Sequence, residues 1–136
     1  MTNPVAGCIA IVLLLCGCAS VPVGPTYYYD EVVVLNQSRY VVRDVQIAST
    51  NSGRVFSCGN VAPRGICSNK FSPQVYQGRP VRVSWRFDEG RVNSEVFELE
   101  LPPSFIPELP MRGVLLIGAN GGIRAYLQQD KPGPHL

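Results

Sequence analysis

The stretch VRVSWRFD alternates strictly between apolar and polar positions. Val81, Val83, Trp85 and Phe87 fall on one side of an extended chain, and Arg82, Ser84, Arg86 and Asp88 on the other. A period of two is what a β-strand with one buried face requires. DEGR follows as a turn, and then VNSEVFELELP sets Phe97, Leu99 and Leu101 against Glu98 and Glu100. A three-residue loop from Glu89 to Arg91 pairs Asp88 with Val92, Val83 with Phe97, Val81 with Leu99 and Arg82 with Glu98. A slip by one residue would turn Phe97 and Leu99 outward, so an even register is expected.

Other segments carry the same signal. YYYDEVVVL is dense in aromatic and β-branched residues and is bounded by the turn NQSR. YVVRDVQIAS places Val41, Val45 and Ile47 on one face, with Arg43 interrupting it, and ends at the turn TNSG. RVFSC is a short strand. GVLLIGA and IRAYLQQ flank NGG, where Asn-Gly favours the positive φ angles of a type I′ hairpin. LPPSFIPELPMRG carries four prolines and reads as a crossover connection, not a central strand.

Seven strands and no long helical period predict an all-β domain over residues 27–130: an immunoglobulin-like antiparallel β-sandwich, with a small barrel as the alternative. Trp85 suits a central inward position in such a core. A cysteine pair between the sheets is not expected, because Cys58 and Cys67 stand close in sequence. The last residues, 131–136, read as a polar tail.

The first seventeen residues differ from everything after them. They hold no charged side chain, and Ile9 to Leu15 is a compact apolar run followed by Cys16, Gly17 and Cys18. The layout resembles a secretory signal peptide, and the run is shorter than the roughly 20 residues of a membrane-spanning helix. LCGC, Leu15 to Cys18, resembles the lipobox of bacterial lipoproteins. Leu15 stands three residues before Cys18, and Gly17 directly before it. The resemblance implies cleavage after residue 17 and a membrane anchor of acyl chains on Cys18. Because Ala19 follows, where this family uses Asp to retain proteins in the inner membrane, it also implies the periplasmic face of the outer membrane. Two acyl chains already suffice for stable attachment. Residues 19–26, ASVPVGPT, then form a short tether of at most about 3.5 Å per residue, which keeps the domain near the bilayer.

With residues 1–17 removed and Cys18 acylated, two thiols remain, Cys58 and Cys67. An exported pair of this kind tends to close as a disulfide. Closing so short a loop stabilises by about 2–3 kcal/mol through loop-closure entropy. A zinc site would need more ligands, and the single histidine, His135, lies in the tail. The spacing is not the C-x-x-C of a redox pair.

A net charge of +2 on 136 residues gives no electrostatic footprint for nucleic acid. No cofactor is implied, and a Ser-His-Asp triad has no well-placed histidine. The paired carboxylates Glu98 and Glu100 read as a solvated face, and GANGG as a turn, since no helix or lysine follows to hold phosphates. Binding surfaces are the better candidates. Arg64 sits at the tip of the stapled loop CGNVAPRGIC, and Phe105 and Ile106 stand among prolines that lower the cost of ordering them. The expectation is a non-enzymatic, membrane-anchored module that binds a periplasmic or envelope protein. A small inhibitor or ligand-binding module presenting the stapled loop is the alternative.

Overall fold

The computed structural model describes residues 24–50, 53–78 and 80–129. The signal segment, Cys18, most of the tether and the tail with His135 lie outside the described residues. The described residues fold as an all-β sandwich of eight strands: β1 (Tyr28–Asn36), β2 (Val42–Ser49), β3 (Val55–Val61), β4 (Ile66–Val75), β5 (Val81–Phe87), β6 (Asn93–Phe97), β7 (Met111–Ile117) and β8 (Ile123–Gln128). One sheet has the order β4-β1-β7-β8 and the other β3-β2-β5-β6. The first sheet is mixed, not antiparallel as expected, because β1 runs parallel to β7.

The inward faces meet as one core. Val32, Val34, Leu115 and Ile117 come from the first sheet, and Val42, Val45, Ile47, Val83 and Trp85 from the second. Val81 and Phe87 pack beside them, so the alternation of β5 is used as the sequence implies. Burying each such side chain contributes about 1.5–3 kcal/mol relative to leaving it in water.

Several local expectations are corrected. The strand missing from the sequence reading is β4. Its polar composition and Pro73 argue against a central strand, but β4 lies at a sheet edge, where proline is tolerated. In β2 the inward residue is Val42 and not Val41, because a register shift between Val42 and Val45 sets Val42 and Val45 on one face. Asp44 takes the left-handed φ of 53° at that bulge, its amide donating to Asn60 Oδ1 and its carboxylate held by Arg86 at 2.7 Å.

The β5–β6 hairpin keeps the even register but moves by one pair: Val81 faces Phe97, Val83 faces Glu95, and Arg82 faces Val96 instead of Glu98. Asp88 is the cause. It adopts a φ of 46°, donates its amide to the Val41 carbonyl and accepts the Val41 N–H on its carboxylate Oδ1, and so belongs to the turn, not to the ladder. The NGG turn differs too. Gly121 N–H donates to the Gly118 carbonyl and only Gly121, at φ 84°, is left-handed, so Asn120 does not take the type I′ conformation. This is a three-residue loop closed by a glycine bulge.

Candidate functional site: two ends of the sandwich

The two ends of the sandwich are built from different residue types. At one end β1 terminates in Asn36, a fully buried side chain. Its amide nitrogen donates to the carbonyls of Tyr40 (2.8 Å), Val61 (3.1 Å) and Ala62 (3.1 Å). Its Oδ1 accepts from the amide and hydroxyl of Ser38. One polar side chain thus closes the β1–β2 turn and fastens the β3–β4 turn to it.

The Cys58–Cys67 disulfide reinforces the same end, with a Cα–Cα distance of 5.9 Å. Cys58 is on β3 and Cys67 on β4, the edge strands of opposite sheets. The bridge therefore does join the sheets, contrary to the sequence-based expectation. Short separation is no obstacle, because the chain crosses from one sheet to the other between the two cysteines. The Asn69 amide lies 3.7 Å from one sulfur and 3.8 Å from the other. Within the loop, Val61 turns into the core, whereas Asn60, Arg64 and Ile66 are exposed. Arg64 stands at the tip with a φ of 58°, in a turn closed by Gly65 N–H to the Ala62 carbonyl.

At the opposite end the sheets part around a cavity of about 260 Å³. Tyr29, Gly113, Leu115, Ala125 and Leu127 line it from the first sheet. Ile47, Phe56, Val81 and Val83 line it from the second, and Leu99 from the chain after β6. The cause is local. Gly113 is an inward position of β7 with no side chain, and a Cβ there would meet only Val32 Cγ2, at 4.0 Å. Ala125, paired with Leu115, is nearly as small. Tyr29 and Phe56 both pack on Phe71, at 5.4 and 5.1 Å between ring centroids, which fixes an aromatic wall beside the opening. Arg54 lies over that wall, its guanidinium carbon 5.6 Å from the Phe71 ring centre.

Tyr76 separates this cavity from an outer cleft of about 730 Å³. Its hydroxyl donates to the Leu99 carbonyl, and burial pushes its pKa above the usual phenol value. Pro25, Thr26 and Tyr27, just ahead of β1, line the outer cleft together with Glu98 and Glu100. The cavity and the described start of the chain therefore share one end of the molecule.

Phe105 and Ile106 also lie at this end, away from Arg64, and the three do not form one surface. Gln129 holds their loop by accepting from Ile106 N–H and donating to the carbonyls of Ile106 and Leu109. The Tyr27 hydroxyl donates to the Phe105 carbonyl at 3.3 Å. Phe105 is half-buried and Ile106 is exposed. Among the described residues, no group of three or more His, Cys, Asp or Glu is placed to hold a metal ion.

Two features escape the sequence reading. One is the cavity, although Gly113, directly before the apolar run Val114–Ile117, is a visible sign of a missing side chain. The other is the outer face of the first sheet, where Val33, Leu35 and Val114 form a second buried cluster with Leu116 and Tyr126. Beside it Glu31 accepts from Ser68 Oγ at 3.0 Å and lies 3.9 Å from Arg112, with both charges buried. The uninterrupted run Val32 to Leu35 is the signal for a strand buried on both faces.

No known family profile matches this chain, and no curated protein matches it. Among solved structures it is similar to one described as the NMR structure of the protein from Eubacterium rectale. The identity is 13% and the TM-score 0.46, over 80% of this chain and 92% of that one.

Proposed function

We propose that this chain is a non-enzymatic lipoprotein of the cell envelope, anchored to the outer membrane by acyl chains on Cys18, whose β-sandwich binds a periplasmic or envelope protein. Two four-stranded sheets face to face, with a buried tryptophan on a central strand, support an immunoglobulin-like plan for the sandwich. The anchor rests on the lipobox resemblance. A bridge between Cys58 and Cys67 accords with an oxidising compartment.

The observation that carries the binding role is the edge strand β6. It pairs with β5 on one side only, and Val92 and Val96 on and beside it are 66% and 46% exposed. An unpaired edge with apolar side chains suits strand addition by a partner. A photo-crosslinking residue at Val96 should give a discrete protein adduct in intact envelopes, and Arg82→Lys, across the ladder, should leave it in place. Absence of any protein adduct at Val96 contradicts the reading. The anchor is tested separately: Cys18→Ser should release the chain from the membrane fraction and remove an acyl mass from its first peptide.

A second reading is favoured by the exposed, doubly fastened Arg64. Partner binding through the stapled turn predicts a protein adduct from a photo-crosslinking residue at Arg64 and none at Val96, with Val96→Lys leaving binding unchanged.

A further inference from the structure

We propose that the cavity between the sheets is a binding site for one free fatty acid, its tail between β5 and β7 and its carboxylate at the rim beside Arg54. The walls are apolar side chains from both sheets, and the described lining contains one charged residue, Arg54, which is exposed. Of the other polar residues, Ser49 and Gln74 stand at the ends of β2 and β4 and Gln77 just beyond β4, and Tyr29 and Tyr76 add two phenols, the latter bonded to the Leu99 carbonyl. An apolar interior with a few polar groups at its mouth is the usual form of a site for an amphipathic small molecule.

Size selects a single tail. The cavity of about 260 Å³ falls just under the roughly 300–1,000 Å³ of sites for drug-sized molecules. That is room for one chain of a monocarboxylate and too little for the paired chains of a phospholipid. Charge selects the head. A guanidinium at the rim favours a carboxylate, whereas Glu98 and Glu100 line the outer cleft beyond Tyr76 and disfavour an anion there. Entry from the end beside Pro25 and Thr26 would let such an acid pass directly between a nearby bilayer and the protein. Binding itself does not depend on the anchor, so the test applies to the chain with Cys18 or with Cys18→Ser.

Trp85 reports on the site. It is the only tryptophan, 7% exposed, and lies two residues along β5 from the lining residue Val83, about 7 Å away. Bromine quenches tryptophan only at short range. The full chain is mixed with phosphatidylcholine vesicles and titrated with ω-bromoundecanoate. Saturable loss of most Trp85 emission is expected. In a parallel arm the bromine is carried by the phospholipid chains, with no free acid, and no quenching is expected.

Gly113→Ile fills the cavity from β7 and Ala125→Leu from β8. Each should abolish the quenching, and Gly113→Ile should raise the melting temperature. Arg54→Gln should raise the half-saturating acid concentration by about fivefold, the upper end for a solvent-exposed ion pair. The proposal is overturned by absent or non-saturable quenching, or by equal quenching in both filled variants. Quenching from the brominated phospholipid alone overturns it as well, by making a bilayer chain the occupant. An unchanged Arg54→Gln titration overturns the placement of the carboxylate.

Discussion

Where β1 ends, Asn36 collects three carbonyl groups and a disulfide ties the edges of the two sheets; where β1 begins, the sheets enclose space that Gly113 and Ala125 leave unfilled. The same strands run through both ends, so the contrast comes from a few side chains and not from topology. Polar groups that are fully paired inside a protein lock one arrangement, because any alternative leaves them without partners. An apolar space held open by small residues imposes no such penalty, and it lets that end admit a guest. The fixed end keeps the sheets aligned, while the open end stands beside Pro25 and Thr26.

The contrast can be broken most severely at Asn36. Asn36→Ala leaves the buried Val61 carbonyl without its donor, and removes the bonds to the Tyr40 and Ala62 carbonyls and to Ser38, and should cost about 3 kcal/mol in chemical denaturation. Replacing Cys58 and Cys67 together by alanine should cost about 2–3 kcal/mol by the same measurement, and reductant should have the same effect on the native chain. Gly113→Ile acts in the opposite sense. It removes a glycine from a strand and fills apolar space, and should gain about 1 kcal/mol, read as a higher melting temperature. The smallest effect belongs to the solvent-facing pair at the β2 bulge: Arg86→Gln should cost less than about 1 kcal/mol, since the Asp44 carboxylate it holds is 62% exposed. If Arg86→Gln proves as costly as Asn36→Ala, the buried network is not what distinguishes the fixed end.

The strand pattern was legible where one face is apolar and the other polar, as in β5, because that alternation is the direct imprint of a half-buried strand. It failed at β4, whose edge position permits Pro73 and Lys70 and so hides the strand. It failed again at Asp44 and Asp88, where single left-handed residues shift a register that periodicity alone cannot see. The disulfide partners follow from counting cysteines, but their joining of two sheets depends on where the chain crosses over, which is a tertiary fact. Arg64 was correctly read as a loop tip. The cavity was not anticipated, because an unfilled volume is a property of facing residues far apart in sequence, such as Gly113 and Val83.

Hydrogen–deuterium exchange of the full chain, with and without undecanoate, tests the division between the two ends most directly. Peptides spanning Val81–Val83 and Gly113–Leu115 should gain protection with the acid, while those spanning Asn36–Tyr40 and Cys58–Cys67 should be protected already and unchanged. Equal exchange at both ends without the acid, or added protection confined to the Asn36 end, would contradict the account.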